Sequence, residues 1–520
     1  MLRGHAREWL LLLLAAALLL GATHGDREAG FQSDDGAYLV LAEAYTVPTA
    51  ERLPVHDDAI RDSHFPPGWP MVLGLLGAGP DRLAHAGRVT LLMLLLALLA
   101  VYAWTRAETA SRPAALAVAA ALALMPATLM FVQVVFSEFL FMALVFGCFA
   151  VLAVAERGGR HRDSAWLLAA ALVALASLTR AVGLVLILAF LVNLVFRRPP
   201  RWGLVAVAAA LPWLAWTLAH AAIVGKTGYF GDGGRGLSAW LEGGMAHALA
   251  VLPELARFWV EDLAGPDARG LPTSWAAPLV GLLWLASLPV WWQRFRAGRC
   301  DAWYLTGSLG LILIWPYTGA DYVPRFVYPL LPLQFVYLAI AAGGRRPLQL
   351  AFTVLAAATL LPAALPMLVR AWTPVPAELA GYQRNPNYLA VPDRNKALTY
   401  TRFYRDVSVA LRELAGDVPV SHCVHAPQTA LVMLHMRRIA RPTPRPALIE
   451  SLRDAPYRLS DAGGCRWVLT IASSTPAVPA MYPSGPLSAM DAYRVRSFPS
   501  SDPADPQPVL ALFREEPRRR

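Results

Sequence analysis

Two neighbouring carboxylates, Asp34 and Asp35, stand in the stretch FQSDDGAYLVLAEAY. Further along come Glu138 in VVFSEFLFMAL, Arg180 in SLTRAVGLVL, Lys226 in GKTGYFGDGGRG, and Asp321 and Arg325 in ADYVPRFVYPLLPL. A carboxylate can take a proton from a hydroxyl, and a guanidinium or ammonium can hold a phosphate. All of these lie within or beside long apolar runs. A charge at the middle of a bilayer costs about 2.5–3.5 kcal/mol, so such side chains normally face a cavity or a partner and become functional candidates. Each has a plainer alternative. Asp34 and Asp35 could be solvated loop residues or cap a helix over Ala37–Tyr45. Glu138 could cap the helix that begins with FLFMAL, assisted by Ser137. Arg180 and Arg325 could snorkel to the interface, and His64 in HFPPGWP could be a loop residue. Phosphate-loop and cysteine-metal spacings are absent: GKTGYFGDGGRG does not fit GxxxxGK[ST], and the cysteines at 148, 300, 423 and 465 form no CxxC or His/Cys cluster.

The elements that must position these residues are membrane helices. The chain has 520 residues, 56% hydrophobic and only 16% charged, with a mean hydropathy of +0.44. The apolar residues fall in blocks long enough for a helical pass of roughly 20 residues. The net charge of +10 is nearly all arginine, set in short loops between those blocks. That is the positive-inside pattern and not a nucleic-acid footprint. Trp9–Ala22 reads as a short first helix or a signal peptide, followed by a long polar outer loop over 23–66. Apolar blocks then follow to about Trp372, and the basic clusters fix their direction. Arg157–Arg162 and Arg197–Arg201 both belong inside, so Ala165–Phe196 must hold two short passes with Arg180 at the outer turn between them. The sequence predicts an α-helical polytopic membrane protein of about eleven passes, with a transmembrane domain over 1–372. Residues 373–520 form an outer domain. There Lys396–Leu414 reads as an amphipathic helix, and PVSHCV and RWVLTIA as buried strands, which makes it a small α/β domain. Cys423 and Cys465 both fall in it and are either a pair or two buried thiols. On this topology Asp34, Asp35, Glu138, Arg180, Lys226, Asp321 and Arg325 collect at the outer face. The prolines of HFPPGWP redirect the chain from the loop into a helix at the membrane surface.

Several of these stretches together resemble the GT-C fold glycosyltransferases. The acidic pair ahead of Tyr38 is similar to their first outer loop, and HFPPGWPMVLGLL to their proline-rich re-entry into the membrane. VVFSEFLFMAL is similar to their acidic residue at the outer end of the fourth helix. SLTRAVGLVL and VPRFVYPLLPL resemble their LTRxxG-type and RYxxPLxP-type segments. The resemblance runs over about Phe31–Arg346 and is nearest to the bacterial relatives of protein O-mannosyltransferases, aminoarabinose transferases and lipopolysaccharide-core galacturonosyltransferases. It implies transfer of a sugar, with inversion, from a polyprenyl-phosphate carrier to a lipid, saccharide or protein acceptor outside the cytoplasm. The site would face the periplasm of a bacterial inner membrane. It also implies that Asp34 is the general base. Asp35 departs from the commoner Glu, and Glu138 would orient the acceptor or a metal. Arg180, Arg325, Lys226, Tyr38 and His64 would hold substrate. A divalent cation, Mg or Mn, is left open, since two or three carboxylates could hold one. Two other classes compete: a membrane polysaccharide polymerase or ligase, which needs no acidic pair after the first helix, and a lipid or polysaccharide transporter, for which an internal repeat is expected and none is found.

Overall fold

A computed structural model describes residues 34–63, 65–158, 162–224, 237–265, 276–314, 323–380, 389, 391, 393–442, 465–471, 494–499 and 508–514. The expected first pass Trp9–Ala22, the run GKTGYFGDGGRG with Lys226, and His64 and Asp321 lie outside the described residues.

The described part of the expected outer loop is largely helical. Helix α1 (Asp34–Thr46) carries both aspartates in its first turn, and α2 (Pro54–Asp62) follows. Helix α3 (Gly68–Leu75) starts just past Pro66 and Pro67, as the proline-rich stretch predicts. The bundle then runs through α4 (Leu83–Thr109), α5 (Arg112–Leu124), α6 (Pro126–Phe131), α7 (Glu138–Ala155), α8 (Arg162–Thr179), α9 (Gly183–Arg197) and α10 (Trp202–Val224). It continues with α11 (Leu237–Ala264), α12 (Ala276–Arg296), α13 (Cys300–Ile314), α14 (Val323–Val327), α15 (Leu331–Ala342) and α16 (Arg346–Trp372). Among the described residues 7 helices are long and apolar enough to cross a membrane, and three shorter apolar ones, α5, α9 and α13, occupy further expected passes. The Ala165–Phe196 block does divide in two, with the break at Arg180 between α8 and α9. Helix α11 packs its Phe258, Trp259 and Leu263 into the bundle core.

The far ends of these helices hold a second ionic cluster. Arg294 donates to Glu108 at 3.0 Å and to Asp301 at 2.7 Å, Tyr337 donates to Asp301 at 2.9 Å, and Arg299 pairs with Glu108 and Glu156. Arg294 closes the last turn of α12 and Arg299 follows it in the turn before α13. Their guanidinium groups tie together the ends of α4, α7, α12 and α13. Glu138 and Glu156 bracket α7, so this cluster sits about 27 Å from Glu138 at 1.5 Å per residue.

The C-terminal domain is a small α/β unit. Helix α17 (Arg394–Leu414) is amphipathic, with Phe403, Val407, Leu411 and Leu414 on its buried face. Strands β1 (Cys423–Ala426), β2 (Ile439–Pro442), β3 (Trp467–Ile471), β4 (Arg494–Pro499) and β5 (Pro508–Arg514) form one sheet in the order β2-β1-β3-β5-β4. β1 runs parallel to β2 and β3, while β5 is antiparallel to β3 and β4. Between β1 and β2 lie a short helix α18 (Thr429–Leu431) and a π-helical turn (Val432–Met436). Cys423 and Cys465 form a disulfide at the start of β1 and just before β3.

Candidate active site

Four charged residues predicted to share one face meet at one point. Glu138 opens α7 and its side chain is fully buried. Its Oε1 accepts from Arg325 Nε at 2.7 Å and lies 2.5 Å from Arg180 Nη1. Arg325 Nη1 also pairs with Asp34 at the first turn of α1. The result is a chain of alternating charge, Asp34–Arg325–Glu138–Arg180. The side chains of Arg180 and Arg325 are only 10% and 11% exposed, so neither snorkels to the interface. Asp34 is the more open end, at 21%.

Local sequence explains why each member is where it is. Arg180 sits in the short gap between α8 and α9, where Gly183 closes the turn. A Cβ on Gly183 would collide with the backbone of Ser177 and come within 2.8 Å of Ala176 O. Glycine is the residue that lets the two helices turn this tightly. Gly68 plays the matching part for α3: a Cβ there would lie 2.7 Å from Leu178 O, so the proline-rich entry packs directly on the end of α8. Trp69 Nε1 then donates to Val135 O at 3.2 Å, tying α3 to the segment that leads into Glu138. Arg325 lies on α14, a single turn held by Pro324 and Pro329, with its guanidinium 3.8 Å from the centre of the Phe136 ring. That face contributes a cation–π attraction of about 2 kcal/mol at a desolvated site.

The alternative of a helix cap at Glu138 does not hold, because Ser137 makes no side-chain capping bond to α7. Ser137 Oγ instead receives Arg180 Nη1 at 3.2 Å and shares a hydrogen bond with Tyr38 OH at 3.4 Å. Tyr38 lies on the buried face of α1 against Phe65, ring centroids 4.8 Å apart. Burial, with the charge of Asp34 next in size, pushes its phenol up to about 12 against the pull of Arg325 and Arg180. The two aspartates separate. Asp34 joins the charge chain, while Asp35 is buried at 3% exposure with its Oδ1 accepting from Gly36 N–H at 2.8 Å. Lys226, His64 and Asp321 fall outside the described residues. The Phe136 face carries no signal in the sequence, and Ser137, expected to assist a cap, instead bridges Arg180 and Tyr38.

The described carboxylates are not grouped as a divalent-cation site. Among the described residues no group of three or more His, Cys, Asp or Glu is placed to hold one. Hard cations need several free oxygens, whereas Asp34 and Glu138 are each already paired to a guanidinium.

No family model matches the chain, and no curated protein does. Solved structures do. ArnT from Cupriavidus metallidurans in the apo state superposes with a TM-score of 0.58 at 14% identity over 98% of both chains. The same protein bound to undecaprenyl phosphate gives 0.56 at 12% identity over 98% of both. The archaeal oligosaccharyltransferase AglB from Archaeoglobus fulgidus, in complex with an inhibitory peptide and a dolichol-phosphate, gives 0.53 at 15% identity. That match covers 91% of this chain and 70% of AglB. The chain has the GT-C fold of these proteins, with a small sheet-containing C-terminal domain.

Proposed function

We propose that this integral membrane protein is a glycosyltransferase that takes a sugar from a polyprenyl-phosphate carrier and passes it, with inversion, to an acceptor outside the cytoplasm. One observation carries the reading. A reachable carboxylate, Asp34, stands beside two inward-held guanidinium groups, Arg180 and Arg325, in a GT-C fold. The fold comparisons add carrier chemistry, since ArnT binds undecaprenyl phosphate and AglB a dolichol-phosphate.

The reaction follows from those groups. An acceptor hydroxyl oxygen forms a bond to the anomeric carbon as the bond from that carbon to the phosphate oxygen breaks. The electron pair goes to the phosphate, and the hydroxyl proton goes to the Asp34 carboxylate. The transition state is oxocarbenium-like. The leaving phosphate gains a negative charge, so cations must be in place to receive it, and a planar guanidinium can grip it with two hydrogen bonds. Without substrate these cations are neutralised by Asp34 and Glu138. The arriving phosphate competes for Arg325, and that exchange frees Asp34 to act as base once the donor is bound. Glu138, fully buried between both arginines, orients them. This position favours that part over contact with an acceptor or a metal. Tyr38 keeps its proton and supports the bridge to Arg180 through Ser137. Asp35, Lys226 and His64 remain as further contacts to donor or acceptor.

The Cys423–Cys465 disulfide suits an oxidising compartment. Together with arginine-rich loops at the opposite ends of the helices, it supports a bacterial inner-membrane protein whose site and C-terminal domain face the periplasm. A deletion strain carrying either the parent or Asp34→Asn, at equal membrane level, tests the function. Mass spectrometry of surface glycolipids should show one sugar lost in both the deletion and the Asp34→Asn strain. An Asp34→Asn strain with the parent's glycolipids would remove the proposed base.

A further inference from the structure

The C-terminal domain touches the helix that carries Asp34. We infer that this domain is a positioning element for the site, and that Arg437 and Arg441 set where Asp34 stands; the inference rests on the function proposed above.

Helix α1 is a short rod with Asp34 at one end and Glu43 near the other. The two are separated by about 14 Å along its axis at 1.5 Å per residue. Glu43 is where three parts of the chain meet. Arg437 from the C-terminal domain pairs with its Oε2, and His56 Nε2 of α2 lies 3.1 Å from the same oxygen. His56 Nδ1 accepts Leu53 N–H at 3.2 Å, so Nε2 is the ring nitrogen presented to Glu43. Arg437 directly follows the π-helical turn and has φ 58°, a left-handed conformation that a non-glycine residue rarely adopts. Its Nη1 is buried with no hydrogen-bond partner among the described residues, so Glu43 is what compensates that guanidinium. A second pair lies beside it. Arg441 on β2 grips Asp58 of α2 with two bonds, Nη1 to Oδ2 at 2.8 Å and Nη2 to Oδ1 at 2.5 Å.

Between the two pairs the contact is apolar. Leu434 of the π-helical turn is buried in the hydrophobic core of the membrane domain, and Met433 packs against both that core and the core of the C-terminal domain. An apolar centre with paired charges at its edge is how a specific interface is built. Here its target is α1 and α2. The other end of α1 holds a base that must meet a hydroxyl proton. A misplacement of 1 Å can cost about 100-fold in rate, so an interface distant from the reacting atoms can still govern turnover.

The test uses the full chain with Arg441→Glu, Asp58→Arg and the double exchange, at matched membrane levels in the deletion strain. Glycolipid product is measured by mass spectrometry. Hydrogen exchange of residues 34–46 is measured on the purified protein in detergent. Each single change should raise exchange in 34–46 several-fold and lower product by about 10- to 100-fold, and the double exchange should restore both. Arg437→Gln should repeat the losses, and Arg437→Lys should recover most of them. Single variants with parental exchange, a loss of product without faster exchange, or a double exchange that restores nothing would each overturn the inference. Failure of the function proposal looks different. Asp34→Asn would then keep full product, while the exchange response of 34–46 to Arg441→Glu still decides the role of the domain.

Discussion

Replacing Glu138 by Gln should unsettle the site while keeping its shape. The side chain is fully buried, and one of its oxygens serves both Arg325, at 2.7 Å, and Arg180, at 2.5 Å. Gln keeps an acceptor oxygen but removes the charge. Arg325 would retain Asp34, whereas Arg180 would retain the Ser137 hydroxyl at 3.2 Å but no carboxylate among the described residues. Breaking a buried ion pair from one side costs about 3–5 kcal/mol, much of it from the stranded partner. With Asp34 still covering Arg325 the lower figure applies, so the loss is about 3 kcal/mol. Adding Arg180→Gln removes the stranded charge. The double variant should therefore be more stable than the sum of the two single losses implies, by a coupling of about 0.5–3 kcal/mol. Denaturant unfolding in detergent measures stability, and binding of undecaprenyl phosphate measures the effect on the cations. The account predicts weaker binding in Glu138→Gln, because the arginines lose the anchor that holds them in place. A Glu138→Gln protein with the parent's stability and lipid affinity, or strict additivity in the double variant, would refute the reasoning.

Other consequences follow from neighbouring residues. The Tyr38 phenol is pushed up to about 12 from 10.0, chiefly by burial. The stability tied to its proton is fully present below pH 10 and is lost as pH rises through the folded value, about 3 kcal/mol in all. Tyr38→Phe should flatten that alkaline limb of the unfolding profile, and an unchanged limb would contradict it. Glu43 is opposed by burial, but hydrogen bonds and charge from His56 and Arg437 hold its carboxyl below the usual range. Its contribution is present above the ordinary carboxylate value and is lost as pH falls through the lowered one. Protection of 34–46 relative to the intrinsic exchange rate should fall on acidification more in the parent than in Glu43→Gln. The Cys423–Cys465 bond spans a separation of 42 residues. A loop of that size is worth about 4 kcal/mol by chain entropy, so Cys423→Ser should destabilise the C-terminal domain by that order, read by proteolysis.

Much of this architecture was legible in the sequence, and the reason is local. Apolar blocks and arginine-rich loops fix helices without reference to distant residues, and matching basic flanks were enough to place a break at Arg180. The amphipathic spacing of Phe403, Val407, Leu411 and Leu414 marked α17 in the same way. Pairings could not be read so directly. Glu138 and Arg325 lie 187 residues apart, and Asp34 and Arg325 lie 291 apart. The sequence placed them on one face but not in one chain of charge, because that depends on how α1, α7 and α14 pack. Arg294 and Arg299 show the limit from the other side. In the sequence they are basic residues at the edge of an apolar block, yet tertiary packing draws both into ion pairs. Arg437 and Arg441 sit in an unremarkable polar tail, and only the docking of the C-terminal domain shows what they hold. Strand β4 escaped notice because arginine and serine interrupt its apolar pattern, and β5 because its VLALF run is short and set between proline-rich and charged stretches.

The most direct measurement is an experimental structure of this protein with undecaprenyl phosphate bound. The account predicts phosphate oxygens within hydrogen-bond distance of Arg325 and Arg180, with Arg325 released from Asp34 and the freed carboxylate open to the acceptor side. A phosphate seated away from both guanidinium groups, or an Arg325–Asp34 pair left intact beside bound lipid, would contradict it.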